Sequence, residues 1–183
     1  MNNKKWWKNY YAELNLTVGI TLIFCAFYFF APTLFTSKSS LISITGQIKK
    51  VETYYTQIIT DNRFHIVKST KSELQLQIIG QTQIYSLTKN IGYDYRNEKY
   101  ENIKTALLNS KMVKVWIKKT QSEKWNPVIF QLENDDGTII YDMNDAKSEL
   151  YFLFPFMIIL GLFSTSIFLR HKYPKKFKKI IGI

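Results

Sequence analysis

Two long stretches of the chain contain no charged residue. The first runs from Leu14 to Ser37, which is 24 residues, and the second runs from Leu150 to Leu169, which is 20 residues. Because an α-helix rises about 1.5 Å per residue, about 20 residues cross a hydrocarbon core of roughly 30 Å. A buried helix of a soluble protein normally keeps a polar face over this length, and residues 152–160 are all apolar. The pattern predicts two transmembrane helices, at 14–37 and 150–169.

A cleaved signal peptide is the alternative interpretation of the first stretch, because basic residues precede it. Three observations oppose cleavage. The apolar stretch is longer than the roughly 7–15 residues of a signal-peptide core, no small-residue cleavage site follows it, and residues 6, 7, 10 and 11 form an aromatic group typical of a membrane interface. A lipid attached at Cys25 is opposed by the bulky Phe24, which precedes it where a small residue is needed.

The distribution of lysine and arginine predicts the orientation in the membrane. Nine cationic residues lie on the outer flanks of the two stretches, and four lie on the inner flanks. The outer ones are Lys4, Lys5, Lys8, Arg170, Lys172, Lys175, Lys176, Lys178 and Lys179, and the inner ones are Lys38, Lys49, Lys50 and Lys147. Since cytoplasmic flanks carry the excess of positive charge, both termini are expected in the cytoplasm. The basic tail also suits anionic lipid headgroups.

The segment between the two helices alternates apolar and polar residues, which is typical of β-strands with one buried face. Strands are predicted at 42–59, with a bend or bulge at Gly46, and at 64–67, 73–78, 83–88, 112–119, 128–132 and 138–143. Gly137 ends a run of turn-forming residues, so the last two strands are expected to form a hairpin. One helix is predicted at 97–109, capped by Asn97 and lying against the sheet.

These elements define the expected architecture. We predict a membrane α+β protein, in which two transmembrane helices flank a small, mainly antiparallel β domain that is curled into a barrel or a sandwich and carries one short helix. The expected segments are a cytoplasmic N-terminus at 1–13, helices at 14–37 and 150–169, an extracytoplasmic β-rich domain at 38–149, and a basic cytoplasmic tail at 170–183. The location that follows is the bacterial inner membrane, crossed twice.

The composition excludes several classes of protein. Apolar residues make up 46% and charged residues 21%, which does not fit a disordered chain. The net charge of +11 lies mainly at the membrane flanks, and only three arginines occur, so nucleic-acid binding is not expected. Two histidines on opposite sides of the predicted membrane cannot share a zinc ion. No nucleotide-binding or hydrolase motif occurs. We therefore expect no enzymatic activity and no cofactor.

The acidic hairpin around residues 133–142 is a candidate calcium site. Carboxylate oxygens suit calcium, but the spacing does not fit the known loop pattern, and Asn/Asp-Gly runs are common turn formers. No metal is expected.

Exposed aromatic residues are the candidate partner-binding groups of the β domain. Trp116 falls on the lysine-bearing face of its predicted strand, opposite Val115 and Ile117, and Trp125 and Tyr95 fall near the ends of predicted elements. Aromatic side chains are enriched in protein interfaces. The alternative is that β-sheets favour aromatic residues in general.

Small residues recur along both predicted transmembrane helices. Thr17, Thr21 and Cys25 are spaced by four on the first, and Gly161 and Thr165 are spaced by four on the second. Small side chains allow helices to approach closely, so these residues are the predicted helix-packing sites. The partner helix belongs either to the same chain or to a second copy, which would make a homo-oligomer. Neither stretch carries the ionisable residues typical of transporters.

Three short segments carry a resemblance. These are Thr45-Gly46-Gln47-Ile48, residues 113–117, and Asn126-Pro127 with the following hairpin. With this layout the chain resembles small uncharacterised bacterial membrane proteins in which two helices bracket an extracytoplasmic β domain. The resemblance implies the architecture and no functional residue.

Two functions are compatible with these features. The first is a non-enzymatic, membrane-anchored module whose outer β domain binds or monitors another envelope protein. The alternative is an immunity or exclusion protein that acts against a membrane-acting toxin or a phage. The bilayer and an envelope protein are the partners expected from the first.

Overall fold

The structure is a computed structural model. It describes residues 3–62, 65–91 and 95–181, with side chains described outside 3–8, 60–62, 65–67, 89–91, 95–96 and 178–181. The chain divides into two compact units. One consists of Met1–Thr36 and Lys147–Ile183, and the other is Ser37–Ala146.

The first unit is helical. Its elements are α1 (Asn3–Cys25), a π-helical segment (Ala26–Phe30), α2 (Ala31–Leu34), most of α4 (Met143–Lys172) and α5 (Pro174–Ile181). Residues Asn9–Leu34 and Met143–Lys172 are each long and apolar enough to cross a membrane. Only 11% of the most apolar part of either helix is buried, whereas a core helix of a soluble protein would be mostly buried. Exposed apolar surface of this extent is compatible with a membrane.

The irregular segment in the first long helix has a local cause. Pro32 has no backbone N–H, so it cannot donate a hydrogen bond to the preceding turn. The π-helical segment ends just before it, where the Ala31 N–H donates to the carbonyl of Ala26, five residues back. The Thr36 hydroxyl then donates to the Pro32 carbonyl at 2.7 Å. The helix therefore continues past the proline by changing its hydrogen-bond spacing.

Helices α1 and α4 meet through two glycines. A Cβ atom added at Gly19 would lie 2.4 Å from Thr165 Oγ1 and 2.7 Å from the Gly161 carbonyl oxygen. About one helical turn after Gly161 in α4, the Ser164 hydroxyl donates a hydrogen bond to the Asn15 carbonyl at 2.8 Å. Gly161 and Thr165 lie where α4 approaches Gly19 of α1. Glycine at this crossing is required by the distance between the two backbones.

The structure places two of the three predicted packing residues of α1 outside this contact. Thr17 and Thr21 are exposed, and Cys25 is half-buried. The contact lies instead on the helix face of Gly19, with the buried Ala12 and Ala26 on either side. Spacing by four marks a helix face but does not decide which of several faces meets a neighbour. Thr17 instead donates its hydroxyl hydrogen to the Glu13 carbonyl of its own helix.

The second unit is a six-stranded antiparallel sheet with one long helix against it. The strands are β1 (Leu41–Asn62), β2 (His65–Ile78), β3 (Ile84–Ile91), β4 (Met112–Lys118), β5 (Ile129–Asn134) and β6 (Ile139–Tyr141), and α3 (Tyr95–Leu108) lies between β3 and β4. The order across the sheet is β3-β2-β1-β4-β5-β6. Apolar residues of all six strands and of α3 form the core. The predicted helix against the sheet is confirmed, because Tyr100, Ile103 and Leu107 are buried in that core.

Strand β1 connects the two halves of the sheet. Its first part, from Leu41 to Gln47, pairs with β4, and its second part, from Ile48 onward, pairs with β2. The register is interrupted between Ile48 and Lys50, so the bulge lies three residues after the predicted bend at Gly46. Gly46 has a different role. A Cβ atom there would lie 2.4 Å from Ile78 Cγ2, so only glycine fits against β2.

Three sequence predictions differ from the structure. The sheet is open and does not close into the expected barrel; β3 touches the residues before β5 through one bridge, between Ser86 and Val128. The predicted strands at 64–67 and 73–78 are one strand, β2, from His65 onward, since polar residues 68–71 continue its pairing with β1, and residue 64 lies outside the described residues. Helix α3 begins at Tyr95, and the Asn97 side chain does not cap it but accepts a hydrogen bond from the Ser72 hydroxyl at 2.6 Å.

Candidate functional site

A concave feature of the sheet unit is a groove between α3 and the β5–β6 hairpin. Its volume is about 470 Å³. The helix side consists of Glu98, Lys99, Asn102, Ile103 and Ala106, and the hairpin side of Asn134, Thr138, Ile139 and Ile140. Binding sites commonly have a volume of roughly 300–1,000 Å³ and combine an apolar floor with a few polar groups. We call this feature the α3–β6 groove.

The helix side of the groove follows from helical periodicity. Tyr100, Ile103 and Leu107 face the core, and their spacing of three and four residues places them on one face of α3. Glu98, Asn102 and Ala106 are spaced by four and lie beside that face. A row with a carboxylate, an amide and a methyl group therefore borders the groove.

The hairpin side is shaped by the turn at 134–138. Gly137 has a φ of +80°, a conformation that glycine adopts without strain. Asn134 holds the turn closed, since its side-chain oxygen accepts a hydrogen bond from the Thr138 N–H at 2.8 Å. The hairpin predicted from these residues is confirmed. It places Ile139, whose side chain is 51% exposed, at the groove.

The groove is acidic at its rim. Lys99 is the only cation among the described lining residues, and it makes an ion pair of 2.9 Å with Asp145 and also lies over the Tyr141 ring. Glu98 makes no ion pair within the described part of the chain. The same holds for Asp135 and Asp136, which lie in the exposed turn between the lining residues Asn134 and Thr138. The uncompensated charge at the rim is therefore negative, although the whole chain carries +11.

Strand β6 is an edge of the sheet, since it pairs only with β5 in the strand order. Alternate backbone N–H and C=O groups of an edge strand point away from its one neighbour and are available for a further strand. The opposite edge, β3, is partly covered: the N–H groups of Ile84 and Ser86 donate to the carbonyls of Trp125 and Pro127 at 3.0 Å.

A second cluster surrounds Trp116 on the outer face of β4. The amino groups of Lys38 and Lys114 each lie 4.7 Å from the centroid of the Trp116 ring. Lys38 also donates a hydrogen bond of 3.2 Å to Glu133, and Gln131 donates one of 2.6 Å to the same carboxylate oxygen. Glu133 and Gln131 are buried, and they are neighbours of Lys114 and Trp116 across the β4–β5 pair.

The electrostatics of this cluster are balanced around Glu133. Burial of the carboxyl raises its pKa, but the hydrogen bond from Lys38, the Trp116 indole and the charges of Lys38 and Lys114 outweigh it, so the net pKa lies below the usual 4.5. The indole interaction is weak, since Trp116 Nε1 is buried and makes no hydrogen bond of good geometry among the described residues. The carboxylate and the two lysines satisfy one another, so the cluster supports the sheet.

The structure separates the three aromatic residues predicted to bind a partner. Trp116 is half-buried within the lysine cluster. Trp125 is 65% exposed in the loop between β4 and β5, and its backbone carbonyl accepts the hydrogen bond from Ile84. Tyr95 is the first residue of α3, and its side chain lies outside the described residues. Of the three, Trp125 is the one whose described side chain is accessible to a partner.

Sequence reasoning missed the α3–β6 groove. Its residues come from two elements about 30 positions apart. The sequence of each element by itself is typical of an ordinary amphipathic helix or of an ordinary hairpin. The signal in the sequence was Ile139, an apolar residue beside a polar turn. No group of three or more histidine, cysteine or carboxylate residues with metal-binding geometry occurs within the described ranges. The side chain of His65 lies outside them.

Comparison of the chain with models of known protein families, with curated proteins and with solved structures finds no match in any of the three.

Proposed function

We propose that the protein is a membrane-anchored, non-enzymatic module whose β-rich domain, residues 38–149, binds or monitors another protein of the bacterial envelope. The observation that carries this proposal is the α3–β6 groove, an open, partly apolar concavity beside an exposed sheet edge. Such a feature suits contact with a protein better than it suits catalysis, since the described residues of its lining include no nucleophile paired with a base.

The anchoring part of the proposal rests on the two long apolar helices and their largely exposed surfaces. Both termini then lie in the cytoplasm of a two-pass inner-membrane protein, as the positive-inside rule requires for nine outer-flank and four inner-flank cations. A reporter inserted after Asp94 should behave as extracytoplasmic. Cytosolic behaviour of that reporter would reverse the orientation and place the groove on the other side.

Crosslinking in the native membrane, followed by identification of captured proteins, tests the binding role. We expect an envelope protein to be captured by the natural chain and lost with Ile139→Glu, which places a charge in the groove. Ile79→Glu is the matched control, because Ile79 is 57% exposed and lies outside the groove lining. Equal capture by both variants would refute the groove as the binding surface. Capture of a membrane-acting toxin instead of a resident protein would favour the immunity role.

A further inference from the structure

Helix α5 (Pro174–Ile181) separates its apolar residues from its cationic ones. The helix is eight residues long, and its sequence is PKKFKKII. At 3.6 residues per turn, positions 177, 180 and 181 fall on one side of the helix, and the sequence has phenylalanine and two isoleucines there. Positions 175, 176, 178 and 179 fall on the other side, and all four residues are lysines. The helix therefore has one apolar side and one cationic side.

Helix α5 begins almost where α4 ends. Helix α4 ends at Lys172, and a single residue, Tyr173, separates it from Pro174. Pro174 has no backbone N–H and disfavours a helical conformation at the residue before it, which accounts for the interruption. The Tyr173 N–H still donates to the Leu169 carbonyl at 2.8 Å, and the Phe177 N–H donates to the Tyr173 carbonyl at 2.9 Å. Because α4 is long and apolar enough to cross a membrane, a helix that begins this close to its end lies within reach of the membrane surface.

The cations near α5 have few acidic partners in the neighbouring sequence. Residues 1–37 and 150–183 contain nine lysines and arginines outside the two apolar stretches and one acidic residue, Glu13. Glu13 is already paired, since its carboxylate lies 3.6 Å from the amino group of Lys172. Nine cations therefore share one carboxylate in these two segments, and a large positive excess is left for an anionic partner.

Anionic phospholipid has the chemistry that both sides of α5 require. Headgroup phosphates complement lysines, and the acyl-chain boundary beside them accepts apolar side chains. A soluble polyanion would complement the lysines but would offer nothing to the apolar side. Nucleic-acid phosphates are commonly bound by arginine, and all cations of α5 are lysines. Tyr173, which is 46% exposed at the junction, is a residue type enriched at membrane interfaces.

We propose that α5 lies along the membrane surface and binds anionic phospholipid, with its lysines at the headgroup phosphates and positions 177, 180 and 181 at the acyl-chain boundary. The proposal rests on the anchoring part of the proposed function and does not depend on the partner of the β-rich domain. It gives the basic tail a role beyond orientation in the membrane. Orientation requires only the charges, whereas binding along the surface also requires the apolar side.

Hydrogen exchange of the full chain in two kinds of nanodisc tests the proposal. One kind contains phosphatidylcholine alone, and the other contains phosphatidylcholine and phosphatidylglycerol in equal parts. An isolated helix of this length is marginal in water, so its amides exchange quickly unless the helix is bound. We expect the amides of residues 177–181 to exchange about tenfold more slowly in the anionic nanodiscs. The readout is the ratio of the two exchange rates, and the amides of α3 should give a ratio near one.

Two variants separate the charge from the apolar surface. Each lysine near an anionic surface is worth about fivefold in affinity, so Lys175→Gln with Lys176→Gln should lower the ratio to about two or less. Lys111→Gln with Lys119→Gln is the matched control, because both lysines are exposed and belong to the sheet unit. Phe177→Ser keeps every lysine and should lower the ratio to a similar extent, because the apolar side loses its aromatic ring.

The outcomes separate this proposal from the proposed function. A ratio near one for the natural chain overturns lipid binding by α5, and an unchanged ratio in Phe177→Ser overturns its placement at the acyl-chain boundary. If polyglutamate slows exchange in phosphatidylcholine nanodiscs while phosphatidylglycerol has no effect, the surface fits an acidic protein and the lipid proposal fails. Slow exchange of residues 155–165 in both nanodiscs supports the anchoring part even where α5 is unprotected, whereas fast exchange there overturns the anchoring and this proposal together.

Discussion

Replacing Gly19 by alanine tests the contact between the two long apolar helices, α1 and α4. The added Cβ would lie 2.4 Å from Thr165 Oγ1, 2.7 Å from the Gly161 carbonyl oxygen and 3.0 Å from the Thr165 backbone nitrogen. Carbon normally approaches such atoms to about 3.5 Å, so the helices must separate by several tenths of an ångström or more. Two of the three atoms belong to the backbone of α4, and a side-chain rotation cannot relieve them.

The expected cost combines two opposing effects. Overpacking of a tight contact typically costs about 1–3 kcal/mol, and separation of the helices also weakens the 2.8 Å hydrogen bond from Ser164 to the Asn15 carbonyl. Alanine gains about 0.5–1 kcal/mol over glycine as a helix former, which offsets part of that loss. We therefore expect Gly19→Ala to lower the free energy of unfolding of the full chain by about 1–2 kcal/mol.

The measurement is unfolding of the purified full chain in mixed micelles by titration with a denaturing detergent, followed by circular dichroism. Val18→Ile is the matched control, because it adds one carbon on the neighbouring, 43% exposed position and should leave stability nearly unchanged. The double variant Gly19→Ala with Thr165→Ala removes the 2.4 Å contact but not the carbonyl contact, so only partial recovery is expected. A stabilising effect of Gly19→Ala would refute the close crossing of α1 and α4.

Three further predictions concern single polar groups. Lys147 is buried and donates a hydrogen bond to the carbonyl of Thr36, beyond the end of α2, so Lys147→Met should cost about 1–2 kcal/mol in the same detergent titration. The pKa of Glu133 is lowered in the folded protein, so the ionised carboxylate contributes stability above pH 4.5, and this stability is lost as the pH falls toward the folded pKa. In thermal melts between pH 3 and 6, Glu133→Gln should therefore show a smaller decrease in stability with falling pH than the natural chain. Burial and the hydrogen bond to Glu101 raise the pKa of Tyr55 from 10.0 to about 12. The stability contributed by the neutral Tyr55 hydroxyl should therefore be lost as the pH rises from 10 to 12. The ultraviolet titration of Tyr55→Phe should lack one tyrosine that ionises late.

Matched variants serve as controls for these three predictions. Lys175→Met removes an exposed lysine and should not change the detergent titration. Glu123→Gln removes an exposed carboxylate and should leave the acid loss as in the natural chain. Tyr54→Phe should also lose a tyrosine with a raised pKa, because Tyr54 donates to Glu52, so the test of Tyr55 is the size of the delay in ionisation. For each pair, an equal response of the control and the test variant would contradict the assignment, in the detergent titration for Lys147, the thermal melts for Glu133 and the ultraviolet titration for Tyr55.

Local sequence patterns located most elements of the fold. The alternation of Val113, Val115 and Ile117 with polar residues predicted β4, and its burial alternates accordingly. The turn ending at Gly137 predicted the hairpin. Both succeed because the information lies within a few consecutive residues, where side-chain direction and allowed φ values decide the structure. The same local pattern predicted two strands in place of β2, because residues 68–71 are polar and show no apolar alternation. In the structure their backbone pairing with β1 continues the strand.

The sequence by itself determined that the chain has two helices long and apolar enough for a bilayer and an alternating, β-rich segment between them, because uninterrupted apolar length and period-two alternation are properties of neighbouring residues. Only the tertiary structure decided that the sheet stays open, that Gly19 and not Thr17 meets α4, and that α3 and β6 enclose a groove. Each of these depends on the distance between residues far apart in the chain. Such distances follow from how whole elements fit together, which no local period records.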